Sequence, residues 1–329
     1  MEHLSNDKDK KPIDNDFFEP KSAQIIKDFY DCYLNAIDPS QRKKGKHLLE
    51  QWLELVMRQI TSPAVFEIYH EAVRAPFDYY RFGLDFVQPL INFAESKFLG
   101  KEYLKSIDEQ LARKENVILL ANHQTEPDPQ IISLLLQNEH PQLAEKMIFV
   151  AGHRVISDPL AVPMSLGRNL LCIYSKKHIN HPSEDKSRKI AHNQRTLKKL
   201  QELLSEGGQC IYVAPSGGRD RTNATGIPKV APFDPVSLEL FLLIAKQSRC
   251  PTHFYPLALK TFALMPPPQN VEKELGEIRQ VAFTPVYLAF GQEIDLDHFP
   301  DEEGLDKQNK RIARANYVYN LVKQSYDLF

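Results

Sequence analysis

Glycine is scarce in this chain, 13 residues in 329, and cysteine is scarcer: Cys32, Cys172, Cys210 and Cys250 stand far apart with no C-x-x-C pair. Such spacing gives no disulfide framework, so four reduced, mostly structural thiols are expected. An excess of either charge is also missing. Lys and Arg number 41 against 43 Asp and Glu, a formal net charge of -2, so no global field draws the chain to nucleic acid or anionic lipid. Any recognition through charge must be local. Long apolar runs are absent too: "VSLELFLLIA" is interrupted by Glu239 and falls short of the ~18 to 20 residues that a membrane-spanning helix needs. No transmembrane segment is expected, and at most peripheral membrane contact. The opening "MEHLSNDKDKKPIDND" lacks the apolar core of a signal peptide and the Arg/Ser bias of a transit peptide. A cytoplasmic location is expected, in a bacterial cytosol or, for a mature organellar form, in a plastid stroma. What the chain has is apolar material, 42% of its residues, enough to bury a large core in one domain or two.

Residues 22–37 and 40–60 are rich in helix formers, and Leu49, Trp52, Leu53, Val56 and Ile60 recur at steps of three and four. They predict an N-terminal helical module over residues 1–62. "TSP" at 61–63 marks its boundary, because proline lacks an N–H and restricts the residue before it. More helix is expected as far as Leu99. From there, over the rest of an α/β domain at 63–329, short apolar runs alternate with helical patterns: 116–122, 146–152, 170–175, 209–215, 252–259 and 281–290. Nearly continuous apolar runs suit strands buried on both faces. The fold class is therefore α/β, a largely parallel or mixed sheet covered by helices, closed by a helix over about 304–326.

The stretch "ANHQTEPDPQ" follows the run Val117-Ile118-Leu119-Leu120 and places His123 where a strand would end, the usual position for functional groups in a parallel sheet. Asp128, five residues on, has two readings. It can be the N-cap of the next helix, with Pro129 at the first helical position. Alternatively the turn folds its carboxylate back onto the imidazole, fixing the tautomer and stabilising the imidazolium formed on proton uptake.

Two later strand ends carry cations. "YSKKHINH" places Lys176, Lys177 and His178 after one run, and "APSGGRDR" places Arg219 and Arg221 after another, with Gly217 and Gly218 expected to let the backbone approach closely. Each could be a solvated basic loop. Gathered at one sheet edge beside His123, they can hold a phosphate by charge-assisted hydrogen bonds.

"NHQTEPD", "FVAGHRV", "LGRNLLCIYSKKH" and "APSGGRDR" together resemble the soluble, plastid-type glycerol-3-phosphate 1-O-acyltransferases, within the wider H-x4-D glycerolipid acyltransferases. The resemblance runs from "APFDYYRFG" to "LMPPP", and Asp220 stands where many membrane-bound relatives have serine. It implies that His123 and Asp128 form the catalytic pair and that Lys177, His178, Arg219 and Arg221 hold the phosphate of glycerol 3-phosphate. It implies direct acyl transfer from an acyl carrier protein or coenzyme A thioester to the sn-1 hydroxyl. The thioester is a co-substrate, so no cofactor and no metal is expected.

Other classes fit less well. Ser216 lies in A-P-S-G-G, not in the G-x-S-x-G nucleophile elbow of a serine hydrolase. His178 and His181 lack the companion ligands of a zinc site. A non-enzymatic module binding phosphorylated metabolites or an acyl carrier protein would keep the basic loops but would not need His123 beside Asp128. The segment 186–199, with six cations and no acid, suits an acidic carrier protein, or is the solvated side of a helix whose Ile190, Leu197, Leu200 and Leu204 face the sheet.

Overall fold

The computed structural model describes residues 18–175, 179, 183–268, 277–300 and 302–329. Two long helices come first, α1 (Pro20–Ala36) and α2 (Arg42–Thr61), followed by α3 (Tyr79–Val87). Further on come α4 (Lys101–Ala112), α5 (Asp128–Leu136), α6 (Pro141–Lys146) and α7 (Val162–Ser165). The remaining named helices are α8 (Lys186–Glu206), α9 (Pro235–Ser248) and α10 (Lys307–Tyr326), the last capped by the Asp306 carboxylate on the N–H groups of Gln308 and Asn309.

Between the helices run the strands β1 (Tyr69–His70), β2 (Lys97–Leu99), β3 (Asn116–Ala121), β4 (Ile148–Gly152) and β5 (Asn169–Ile173). The later ones are β6 (Cys210–Val213), a small hairpin β7 (Arg221–Thr222) and β8 (Pro228–Lys229), then β9 (Thr252–Lys260) and β10 (Tyr287–Phe290). The main sheet has eight strands in the order β1-β5-β4-β6-β3-β9-β10-β2. Its centre, β5-β4-β6-β3-β9, is parallel throughout, and β1 and β10 run antiparallel to their neighbours β5 and β9. The mixed, mostly parallel sheet read from the apolar runs is the observed one.

Alternation along the strands sorts their side chains into two cores. Ile118 and Leu120 of β3, with Ile211 and Val213 of β6, pack beneath α8, α9 and α10 through Leu204, Leu242 and Val318. Val117, Leu119 and Ala121 face the other way, against Leu104 and Ile107 of α4 and Ile132 and Leu136 of α5. Every residue of β3 and β6 is buried, which is why both runs read as apolar without a polar face. Cys172 and Cys210 belong to this interior as free thiols, and burial pushes the Cys172 thiol up to about 12, so it packs as a small apolar group. Outside the α5 layer, α1, α2 and α3 build an aromatic cluster of Phe29, Tyr33, Trp52 and Phe86. The Trp52 indole donates to the Leu160 carbonyl at 3.2 Å, tying α2 to the loop before α7.

Two expectations need correcting. Helix does not continue from residue 63 to Leu99: α3 and a 3₁₀ turn at Gln88–Leu90 are the helical parts of that stretch. Pro63 and Pro76 break the pattern, and the backbone between them bonds elsewhere, Ala72 N–H to the Asn169 side chain and Val73 N–H to the Leu166 carbonyl. The run at 281–290 is strand only from Tyr287, because Pro285 cannot donate to a ladder and Thr284 turns to the Leu90 carbonyl.

Candidate active site

The parallel strands β3, β4, β5, β6 and β9 end at one edge, and the loops leaving β3, β4, β6 and β9 carry the polar residues described here. Asn122 fastens three of those ends together. Its amide donates to the Leu259 carbonyl and to Asp220 Oδ2, each at 2.8 Å, its Oδ1 accepts the Leu259 N–H, and its own carbonyl accepts the Tyr212 hydroxyl at 2.7 Å. The adjacent His123 is thus held by β3, β6 and β9 before any contact of its ring.

His123 Nδ1 lies 2.8 Å from Asp128 Oδ2. The carboxylate is fully buried while the imidazole keeps 28% of its surface exposed, so the ring is the part a substrate can reach. Asp128 is the first residue of α5 and does not cap it. Its carboxylate turns backwards instead. Oδ2 also accepts the N–H groups of Gln124 at 2.7 Å and Thr125 at 3.1 Å, and Oδ1 accepts the hydroxyls of Thr125 at 2.8 Å and Thr261 at 2.6 Å. The capping alternative fails because every one of these donors precedes α5 or comes from the end of β9.

Burial alone pushes the Asp128 carboxyl up. The His123 hydrogen bond and charge, the Thr261 hydroxyl and the Gln124 N–H outweigh it, and hold the group below the ordinary carboxylate value. An acid with its folded value depressed contributes stability in full above the unfolded value, ~3.9 for aspartate, and loses it as pH falls through the folded one. Asp128 is therefore ionised at neutral pH. A carboxylate only accepts, so Nδ1 carries the imidazole proton and the Nε2 lone pair of neutral His123 is left to act as a base.

Asp220, between the two arginines, shows the opposite balance. Its donors, Asn122, Gln124 at 3.1 Å and the Ala231 N–H at 2.8 Å, are all neutral, and burial wins, raising its carboxyl. Its N–H donates to the His123 carbonyl at 2.6 Å. Asp220 thus fastens the arginine-bearing loop to the histidine-bearing one. Gly217 is needed there for its backbone, at φ +71°, whereas a Cβ at Gly217 or Gly218 meets no described atom within 4 Å. The Ser216 hydroxyl is engaged locally, on the Gly218 carbonyl at 3.0 Å.

Of the four expected phosphate ligands, Lys177 and His178 lie outside the described residues. Arg219 is largely buried, donating to Glu277 Oε1 at 2.7 Å and reaching Glu126 Oε1 at 3.5 Å. Arg221 is exposed and touches the Pro268 carbonyl at 3.3 Å, with no carboxylate partner among the described residues. Partial burial, and then the neighbouring Arg219 charge, lower its value, while Glu277 acts to raise it.

Sequence reasoning missed the rest of this network. Arg279 binds both Glu126 oxygens at 2.9 and 3.1 Å and Asp158 at 2.6 Å, and Arg154 pairs with Glu277. Burial raises the Glu126 carboxyl, but Arg279, Arg219 and Arg154 more than offset it. Glu126 lies inside "NHQTEPD" and Arg154 inside "FVAGHRV", so both were in view. Glu277 and Arg279 sit in no motif, and only folding reveals them.

A histidine paired with a buried carboxylate, beside an arginine–carboxylate network at the carboxyl edge of a mostly parallel sheet, defines the class: an α/β protein with its polar cluster where such sheets place functional groups. The Acyltransferase family model matches residues 100–260, from the start of α4 to the end of β9. The chain is 42% identical over 324 residues to the chloroplastic glycerol-3-phosphate acyltransferase ATS12 of Cucurbita moschata, covering 97% of this chain and 70% of that protein. It is 41% identical to the chloroplastic glycerol-3-phosphate acyltransferase of Arabidopsis thaliana, over 93% of this chain and 68% of that one. The chain belongs to the glycerol-3-phosphate acyltransferase family.

Proposed function

We propose that the protein transfers an acyl group from a thioester to the sn-1 hydroxyl of glycerol 3-phosphate. The observation that carries this reading is the His123–Asp128 pair held by its backbone to the loop of Arg219 and Arg221. His123 Nε2 removes the hydroxyl proton as the oxygen attacks the thioester carbonyl. The tetrahedral intermediate then collapses, the C–S bond breaks, and the proton on His123 passes to the departing sulfur. The products are 1-acylglycerol 3-phosphate and a free thiol. No acyl-enzyme forms, so both substrates are held at once, which contributes up to ~7 to 11 kcal/mol at best by converting a bimolecular step into a local one. Arg219 and Arg221, with Lys177 and His178, bind the phosphate and so orient the hydroxyl toward the imidazole.

The test is thiol release from an acyl thioester with and without glycerol 3-phosphate. Release that depends on glycerol 3-phosphate, with acyl glycerol phosphate as product, is expected. Absence of release from any thioester, with glycerol 3-phosphate still bound, would favour a non-enzymatic binding module.

An acyl carrier protein is the proposed donor, supported by the basic face of α8. Of its six cations Lys189 is buried, Arg188 pairs with Asp185 at 3.0 Å, and Lys199 lies 3.9 Å from Glu202. Lys186, Arg195 and Lys198 are exposed without a carboxylate partner among the described residues. Reversing charge at Arg195 and Lys198 should slow transfer from acyl carrier protein several-fold at low salt, with little effect on acyl-coenzyme A, and added salt should erase the difference. Equal rates from the carrier protein at low salt would return these residues to a solvated helix face. No helix among the described residues is long and apolar enough to cross a membrane. The relatives' chloroplastic label supports a plastid stroma as the working location if the source is a plant.

A further inference from the structure

Glu277 sits on the connection between β9 and β10, far from any sequence motif, yet its carboxylate lies between two arginines delivered by two other strands. Oε1 accepts from Arg219 Nη2 at 2.7 Å, and Oε2 pairs with Arg154, which follows β4. The side chain is fully buried. Two guanidinium groups converging on one oxyanion is the arrangement that recognises phosphate. Arg219 already donates one Nη2 hydrogen to Glu277.

We propose that Glu277 is an internal stand-in for the substrate phosphate: its carboxylate occupies Arg219 and Arg154, and glycerol 3-phosphate binds by displacing it. The inference rests on the phosphate reading of Arg219 given above. Charge favours the exchange. Arg154, Arg219, Arg221 and Arg279 face Glu126, Asp158 and Glu277, which leaves one positive unit among the described residues of this network. A phosphate monoester brings about two negative charges at neutral pH. With Glu277 displaced, Arg219 and Arg154 both face the phosphate uncompensated by that acid, one positive unit more than with it retained.

The chain is built to let the carboxylate leave. Arg279, two residues on, stays anchored on Glu126 and Asp158, while Ile278 between them is 58% exposed. Glu126 and Asp158 neutralise Arg279 without it. Departure of Glu277 therefore leaves both ion pairs of Arg279 intact.

The experiment is calorimetric titration of glycerol 3-phosphate, and of inorganic phosphate, into wild type, Glu277→Gln and Glu277→Asp. A slot that the carboxylate fills about nine tenths of the time weakens apparent affinity about tenfold. Both variants should therefore bind glycerol 3-phosphate roughly tenfold more tightly. Glu277→Gln should also melt lower in phosphate-free buffer and be raised more by phosphate than wild type is. Unchanged or weaker binding in a folded variant overturns the proposal and makes Glu277 a fixed support for the arginines. If Glu277→Gln does not fold, Glu277→Asp, which keeps the charge and shortens the arm, decides on the same criterion.

Wild type supplies a readout that needs no variant. Amide exchange at residues 277–281 should speed up on saturation with glycerol 3-phosphate, and slower exchange there counts against displacement. Arg219→Ala separates the two levels of the argument. If it binds glycerol 3-phosphate as wild type does, the phosphate reading itself fails. If it binds weakly while the Glu277 variants gain nothing, only the stand-in fails.

Discussion

His123→Ala should reduce acyl transfer by about 10²- to 10⁴-fold, the usual contribution of a positioned general base, while leaving glycerol 3-phosphate binding and the fold nearly intact. The fold should survive because the His123 ring bonds to Asp128 alone among the described residues, and its backbone anchors are unaffected by the side chain. The loss should fall on kcat, since proton removal is stronger in the transition state than in the bound complex. Turnover above about a tenth of wild type, well short of that range, would remove His123 from the base role. Asp128→Asn probes the other half of the pair and should behave differently. Two oxygens now serve five donors, and an amide offers only one oxygen. Each buried donor left unpaired costs about 1 to 3 kcal/mol, so Asp128→Asn should lose thermal stability as well as activity, whereas His123→Ala, which leaves the carboxylate its other four donors, should lose chiefly activity. Paired melting and steady-state measurements on the two variants make that comparison.

Arg219→Ala should lower kcat/KM for glycerol 3-phosphate by roughly 10- to 100-fold, from the ~1.5 to 3 kcal/mol that a hydrogen bond to a charged group contributes. Its acid partners are not abandoned, since Glu126 keeps Arg279 and Glu277 keeps Arg154, so folding should persist. Arg219→Lys retains the charge but loses the planar fork, and should recover activity only in part. Arg221→Ala should show a loss of the same order, with less effect on stability, because Arg221 is exposed and has no carboxylate to strand among the described residues. Full activity of Arg219→Ala at a glycerol 3-phosphate concentration below the wild-type KM would place the phosphate elsewhere.

The locally patterned features of the chain were legible before folding. The runs at 116–122 and 209–215 read as strands because β3 and β6 are covered on both faces and show no polar alternation. His123 beside Asp128 was legible as one of two readings of that loop, the other being a helix cap, and the family resemblance pointed to the pair. The helix expected up to Leu99 failed where prolines and the Asn169 side chain redirect the backbone, a competition that local propensity does not register.

By itself, then, the sequence determined the α/β class, the strands that end at the active edge, and the spacing that lets Asp128 reach His123. These follow from local periodicity and from the few residues of one loop. Tertiary structure decided how the loops are joined. Asp128 is a backward-facing acceptor of five hydrogen bonds and not a cap, and Asp220 bolts the arginine loop to the His123 carbonyl. Glu126, Asp158 and Glu277 are the buried counter-charges of Arg154, Arg219 and Arg279. A charged residue looks the same in a sequence whether it faces water or another charge. Only when strands distant in the chain bring Arg219, Arg154 and Glu277 together does burial remove the water that would screen them, and only then does the pairing decide what the site can bind.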